Sequence, residues 1–225
     1  MKRHLVYPIH FDTRSRVLED EQSTWTEEAK VLHRENRRRV VEGIEQQFGS
    51  RDLEQKVVDF RECRTLPFSI VSYHNRYYQQ SRDAFVAGTY YPAATGACAL
   101  GERILNHLVI DLREEFRDTP DYKRVYRKQS FDNWSLAIEV LSNWSALRGD
   151  TPQTFRQLNA LRNILIHFDA TIFDNERALA LEALSLIGRL VSAQFGFFGN
   201  EHWWAIPGTR GAQFISKDAE KDVSA

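Results

Sequence analysis

Residues 91–116 read YPAATGACALGERILNHLVIDLREEF. Because proline is tolerated in the first turn of a helix, Tyr91-Pro92 predicts a helix start. The apolar residues that follow recur at helical spacing and form a broad face: Ala93, Ala97, Leu100, Ile104, Leu105, Leu108, Ile110 and Leu112. A helix that is apolar over so wide a face has to be covered by neighbours. The stretch therefore predicts a core helix with other helices packed around it.

The residues on both sides of this stretch also favour helices. On its C-terminal side the patterns predict an amphipathic helix over 131–147 and two long helices over 151–168 and 175–195. On its N-terminal side they predict a long helix that starts at Ser23 or Thr24 and runs to about Gln47. A shorter helix over 51–63 and an aromatic helix over 68–86 follow it.

The two ends of the chain carry different patterns. Alternation of Leu5, Tyr7, Ile9 and Phe11 with other residues predicts an extended arm over 1–22. The glycine-containing residues 199–225 predict an irregular or short-stranded tail. The expected fold is thus all-α: an antiparallel helical bundle over 23–198 with short extended or β-like terminal segments.

The amino-acid composition limits the classes of protein to which this chain can belong. The chain has 225 residues, 42% hydrophobic and 27% charged, which is typical of a globular domain. Its 30 basic and 31 acidic side chains leave a net charge of −1, so an anionic partner has to be bound by a local patch. Two cysteines and no apolar leader at the N-terminus disfavour an exported protein. Glu182 and Arg189 place charges in the longest apolar stretch, which disfavours a membrane span. We therefore expect a cytoplasmic protein without membrane contact.

Several kinds of site lack their motif. Gly96 and Gly101 have the spacing of a phosphate-binding loop, but Glu102-Arg103 replaces the required Lys-Ser/Thr, so close helix packing explains the small residues better. Cys63 and Cys98 stand alone and the histidines are scattered, which disfavours zinc. No nucleophile elbow or dinucleotide fingerprint is present. We therefore expect neither a metal nor a cofactor.

The segment Leu161-Arg162-Asn163-Ile164-Leu165-Ile166-His167-Phe168 is the strongest candidate for chemistry. Arg162, Asn163 and His167 are polar groups on an otherwise apolar helix, and such groups need partners. At about 100° per residue, Asn163 and His167 lie one turn apart on one face, so the amide can orient the imidazole. Arg162 lies about 140° around the helix from His167.

Arg162, Asn163 and His167, late in a helical bundle, resemble the signature of HEPN domains (higher eukaryotes and prokaryotes nucleotide-binding), with a HEPN-like core over about 68–195. The resemblance implies a homodimeric, metal-independent endoribonuclease of a toxin or anti-phage system, with RNA as substrate and an antitoxin or regulatory partner. Asp169 stands where toxins partnered by nucleotidyltransferase antitoxins have tyrosine, so the resemblance does not extend to that subgroup.

The three residues suit RNA cleavage because RNA supplies its own nucleophile, the 2′-hydroxyl. His167 would transfer protons, Arg162 would hold the phosphate oxygens, and Asn163 would orient the imidazole or the ribose. A second His167 from a twofold mate would complete the acid–base pair. The alternative is a satisfied interhelical network in a non-catalytic bundle that binds a nucleotide, RNA or a partner protein.

Glu102 and Asn106 lie one turn apart on the core helix, so Glu102 can pair with Arg162 if the two helices are adjacent; the alternative is a surface stripe. His74, on the aromatic helix, is a weaker candidate for a similar supporting role.

Two basic patches are candidates for RNA binding: residues 33–39, and residues 122–128, in which aromatic residues alternate with basic ones. The second supplies the RNA-binding candidates Lys123, Arg124, Tyr126, Arg127 and Lys128. A solvated helix face is the alternative for both patches.

Overall fold

Helices account for all regular structure in the described part of the chain. The computed structural model describes residues 12–65, 67, 69, 71–166 and 172–196, and no strand occurs among them. The elements are α1 (Arg14–Val17), α2 (Glu27–Phe48), α3 (Leu53–Glu62), α4 (Ser72–Val86), α5 (Tyr90–Leu112), a 3₁₀ turn (Arg113–Phe116), α6 (Tyr122–Val125), α7 (Trp134–Asn143), α8 (Thr151–Ile166) and α9 (Ile172–Phe195). The predicted all-α helical bundle is confirmed for these residues.

Helix α5 lies at the centre of the bundle and contacts α4, α7, α8 and α9. Pro92 lies in its first turn, and its buried side chains extend from Ala93 to Leu112. The apolar face predicted from the sequence is thus the face around which the other helices pack.

Two of the packed helix pairs, α4–α5 and α8–α9, are antiparallel. Between α4 and α5, Tyr77 lies against Arg103, with 5.1 Å from the guanidinium carbon to the ring centroid. One turn further along, the rings of Tyr73 and His107 lie 5.2 Å apart. From the first contact to the second, the residue number increases on α5 and decreases on α4, so the two helices are antiparallel. At the end of α9, Gln194 accepts a hydrogen bond from Thr151 at the start of α8, 3.4 Å, which makes that pair antiparallel too.

Gly101 lets α5 approach its neighbours closely. A Cβ at this position would lie 2.5 Å from Leu158 Cδ2 and 3.0 Å from Trp134 Cη2. At Gly96 a Cβ would lie 2.6 Å from Ser81 Oγ. The glycine spacing in α5 is therefore explained by helix packing.

Gly101→Ala is expected to lower the free energy of unfolding by about 1–2 kcal/mol, because the clash outweighs the gain in helix propensity. The matched control is Gly43→Ala in α2, where a Cβ meets only Arg14 Nη1 at 4.0 Å. That control should raise stability by up to about 1 kcal/mol. Urea denaturation measures both changes, and a stabilised Gly101→Ala would contradict the packing explanation.

Helix α2 contributes little to the core. Of its 22 residues only Ile44 is buried. Val31 and Leu32, near its start, are each 57% exposed. Its main contacts within the described residues are with α1 and α3. Helix α2 therefore lies at the edge of the bundle.

A buried carboxylate connects α3, α5 and α9. Asp59 is 0% exposed and accepts hydrogen bonds from Arg177 Nε (2.9 Å) and Nη2 (2.7 Å). Gln55 donates to the same oxygen, 2.7 Å, and the Tyr90 hydroxyl donates to the other, 3.0 Å. The four donors compensate the burial of the charge.

A buried arginine connects α4 to the residues before α1. Arg82 is 0% exposed, lies 4.1 Å from the centroid of the Phe60 ring and donates to Asp12, 3.0 Å. Burial by itself would raise the pKa of Asp12, but hydrogen bonds from Arg14 and the charge of Arg82 outweigh it and hold the pKa below its ordinary value.

Several element boundaries differ from the sequence prediction. Helix α2 starts at Glu27, because Thr26 rather than Ser23 or Thr24 accepts the capping bond, from Ala29 N at 3.3 Å. The helix predicted over 131–147 is shorter at both ends. The described part of the predicted 1–22 arm is not extended throughout, because Arg14–Val17 forms one helical turn. The rest of that arm, 1–11, and the 199–225 tail lie outside the described residues.

One described helix, Asn175–Phe195, is long and apolar enough to cross a membrane by length and composition. Half of its apolar 18-residue window is buried inside the bundle, and core helices of globular proteins can have the same length and composition.

Candidate functional site

Arg162 lies on α8 and faces Glu102 on α5. The distance between Arg162 Nη2 and Glu102 Oε2 is 3.0 Å, and the two side chains are 25% and 34% exposed. Trp134 of α7 donates its indole N–H to the same Glu102 oxygen, 3.3 Å, and its ring centroid lies 6.0 Å from the guanidinium carbon. Three helices therefore converge on one half-buried ion pair, and Glu102 and Trp134 set the position of the guanidinium.

Asn106 does not contact this pair through its side chain. Its amide nitrogen donates to the backbone carbonyls of Glu102 (2.8 Å) and Phe131 (3.3 Å), and its amide oxygen accepts from Phe131 N, 2.6 Å. The side chain thus fixes the loop before α7 onto α5. The sequence places Asn106 one turn from Glu102 but does not predict its contacts with the Phe131 backbone, since those depend on tertiary folding.

The ion pair forms part of the wall of a cleft of about 460 Å³ between α5, the end of α8 and residues 129–130. Its lining is mixed: Thr95, Cys98, Ala99, Glu102, Arg103, Asn106, His107, Ile110, Gln129, Ser130, Arg162, Leu165 and Ile166. Burial raises the pKa of the Cys98 thiol to about 12 although Arg162 opposes the shift, which disfavours the thiolate form near neutral pH. Among the described residues no three His, Cys, Asp or Glu side chains form a group that could hold a metal ion.

The three catalytic candidates are only partly described. Arg162 lines the cleft, and Asn163, next to it on α8, is exposed. His167 lies outside the described residues, so the relation between its imidazole and Arg162 stays a prediction. Ile164 and Ile166 on the same turn are 40% and 55% exposed.

The predicted aromatic–basic patch begins as the short helix α6 and leads to the cleft. The rings of Tyr122 and Tyr126 stack with centroids 5.5 Å apart, and Arg127 lies over Tyr126 at 5.0 Å. Lys123 is exposed, and Lys128 lies 5.9 Å from the centroid of the Phe131 ring. The patch ends next to residues 129 and 130, which line the cleft, while residues 122–128 are not part of its lining.

Arg124 differs from the other cations of that patch. It donates to Glu139 (2.9 and 3.1 Å) and to Asp121 (2.7 Å), and these hydrogen bonds raise its pKa above the ordinary value. Its charge is therefore already paired within the protein, whereas an arginine that binds RNA needs donors that are free for phosphate.

Most of the basic patch at 33–39 is also paired. Arg34 lies 3.3 Å from Glu21, Arg39 lies 2.6 Å from Glu35, and Arg38 lies 3.7 Å from Glu42. These pairs favour the alternative of a solvated helix face.

His74 is a buried residue whose contacts are structural. It is 1% exposed, its Nδ1 lies 3.1 Å from Ser69 Oγ, and its ring lies 4.5 Å from that of Phe195. Asn75 donates to the Ser69 carbonyl, 2.8 Å. Both side chains fasten the residues before α4 onto the bundle.

The sequence alone does not predict that Trp134 donates a hydrogen bond to Glu102. It lies 32 residues from Glu102, and its spacing marks it only as a core residue of an amphipathic helix. Its donor role depends on the crossing of α7 over α5, for which no local pattern exists.

Comparison with known proteins gives no relative of this chain: no family model, curated protein or solved structure matches it. The assignment of function therefore depends on the residues and their geometry.

Proposed function

We propose that this protein is a HEPN-type, metal-independent endoribonuclease in which Arg162 and His167 act on RNA. The observation that carries the proposal is the arginine on the wall of a cleft, held by Glu102 and Trp134 and 25% exposed. The guanidinium is partly exposed on the cleft wall, and a planar guanidinium can bind a phosphate through two of its N–H groups.

In the proposed reaction the ribose 2′-oxygen attacks the adjacent phosphorus as one His167 removes its proton. The bond from phosphorus to the 5′-oxygen breaks, and a second His167, protonated, donates a proton to the leaving oxygen. Arg162 stabilises the negative charge on the non-bridging oxygens, and Asn163 orients the imidazole or the ribose. The products carry a 2′,3′-cyclic phosphate and a 5′-hydroxyl.

The aromatic–basic residues before the cleft support RNA as the substrate. Tyr122 and Tyr126 offer rings on which bases can stack, while Lys123, Arg127 and Lys128 supply positive charge for the backbone. An RNA strand that follows this segment reaches Arg162 through residues 129 and 130.

The second histidine in this proposal comes from a twofold mate. An isologous interface at the end of α8 brings each residue near the axis to its own copy. The exposed Ile166, which lies between Arg162 and Asn163 on the helix surface, supplies apolar area for such contact.

We expect a homodimer that Ile166→Glu converts to a monomer, because the substitution brings two like charges together near the axis. Light scattering measures the mass. The control is Val31→Glu, an equally exposed apolar residue of α2, which should remain dimeric. A monomeric parent protein would remove support for the composite site.

The biological setting is also part of the proposal: a toxin or anti-phage effector controlled by an antitoxin or another regulatory partner. The direct test is to incubate the purified protein with RNA in excess EDTA and identify the product ends. Cyclic phosphate ends support the proposal, and intact RNA under all conditions contradicts it.

The alternative, a non-catalytic HEPN-like bundle that binds a nucleotide, RNA or a protein, is favoured by one observation. The Arg162–Glu102 pair, with the Trp134 donor, is a satisfied network that needs no substrate. Binding without cleavage in the EDTA assay would support this alternative.

A further inference from the structure

A second and larger cleft lies between α1, the end of α3 and α9, with a volume of about 1090 Å³. Its described lining includes four arginines: Arg16, Arg61, Arg64 and Arg189. Arg16, Arg64 and Arg189 are exposed and Arg61 is half-buried. None of these residues belongs to the motif at the end of α8.

The four guanidinium groups form no ion pair or hydrogen bond with any described residue, in contrast to the paired arginines of α2. Two carboxylates, Glu19 and Glu62, also line the cleft. Glu62 is already bound to Arg177, at 2.6 Å. The cleft therefore gathers unpaired positive charge in a chain whose net charge is −1.

Arg64 has a backbone conformation that normally favours glycine. It follows the end of α3 with φ of 55°, in the left-handed region. Asp52 and Ser145 adopt the same conformation, so the backbone of Arg64 does not by itself indicate a ligand, but it allows glycine to replace Arg64 without strain.

A buried hydroxyl at the cleft wall also lacks a partner. Ser15 is 3% exposed, and its Oγ makes no hydrogen bond within the described structure. The Oγ is closed to solvent, so it is an unsatisfied donor within the cleft wall and makes no direct contact with a ligand in this conformation.

We infer that this cleft binds the phosphate groups of an anionic ligand, either a free nucleoside triphosphate or the backbone of RNA. Arginine suits phosphate because its planar donors bind two oxygens at once. The only aromatic residue in the described lining is Tyr78, which is 4% exposed, so the site offers no ring for base stacking. Recognition is therefore of phosphate rather than of base.

The test measures binding of ATP, inorganic tripolyphosphate and a short single-stranded RNA by calorimetry. We expect Arg64→Gly/Arg189→Gln to weaken binding at least about tenfold, since each lost charge-assisted contact with phosphate is large enough to matter. The control, Arg51→Gln/Arg156→Gln, removes two exposed arginines outside the cleft and should change affinity little.

Binding of ATP and tripolyphosphate that depends on the cleft identifies a free nucleotide, and cleft-dependent binding of RNA alone identifies the RNA backbone. No binding, or equal weakening in the control, overturns the inference. The inference does not depend on the proposed ribonuclease activity: Arg162→Ala should retain cleft-dependent binding of tripolyphosphate even if no RNA is ever cleaved.

The single variant Arg64→Gly separates ligand binding from folding. Glycine adopts the left-handed conformation without strain, so the thermal midpoint of this variant should equal or exceed that of the parent. Weaker phosphate binding at an unchanged or higher midpoint supports the inference. A lower midpoint with unchanged binding would show that Arg64 serves the fold alone and would count against the site.

Discussion

Alanine at Arg162 or at His167 is expected to lower kcat/KM for RNA cleavage by at least about a hundredfold. The arginine stabilises charge that develops on the phosphate, and the histidine transfers protons, and either contribution typically amounts to two or more orders of magnitude. A fluorogenic RNA cleaved in excess EDTA gives the rate for each variant.

The matched control is Arg156→Ala, an exposed arginine on the same helix. It removes the same charge from α8 outside the cleft, so the cleavage rate should stay close to that of the parent. Circular dichroism checks that every variant keeps its helix content. Folded Arg162 and His167 variants that cleave RNA at the parent rate would refute the ribonuclease proposal.

Asp59→Ala should cost about 3 kcal/mol in the free energy of unfolding. The carboxylate is 0% exposed and accepts four hydrogen bonds, so its removal takes an acceptor from Arg177, Gln55 and Tyr90 and leaves a gap at a buried position. Urea denaturation followed by circular dichroism measures the loss.

Glu62→Ala is the control for this prediction, because Glu62 binds the same arginine, at 2.6 Å, but is 35% exposed. Water compensates for its loss, so we expect a change below about 1 kcal/mol. Equal losses in the two variants would show that burial of Asp59 adds nothing to the contribution of the ion pair.

The helices were largely predictable from sequence, and their ends were not. The apolar periodicity of 91–116 identified the central helix because the whole face is buried, which makes the pattern strong. The start of α2 was misplaced because Ser23, Thr24 and Thr26 can all cap, and only the tertiary structure selects Thr26. The one-turn helices α1 and α6 carry too few residues for any periodicity.

For the candidate site, residues on one helix were easier to predict than contacts between helices. The pairing of Glu102 with Arg162 was anticipated only on the condition that α5 and α8 are adjacent, and the structure places them so. The hydrogen bond from the Trp134 indole depends on the position of a third helix, and the contacts of Asn106 depend on the position of a loop. No local sequence pattern predicts either position. The pairing of Arg124 with Glu139 depends on tertiary folding because the two lie 15 residues apart, whereas its pairing with Asp121, three residues away, is local.

The sparse burial of α2 has a consequence for how the molecule responds to its solvent. Much of the local support of this helix comes from exposed charge pairs such as Glu35–Arg39 and Arg38–Glu42. Such pairs weaken as salt shortens the Debye length, whereas the apolar contacts of α5 do not. We therefore expect ionic strength to act unevenly on the fold. The amide protons of α2 should exchange by local opening that increases modestly with salt, since each exposed pair contributes only about 0.3–0.5 kcal/mol. The amide protons of the central helix should exchange by opening closer to global unfolding.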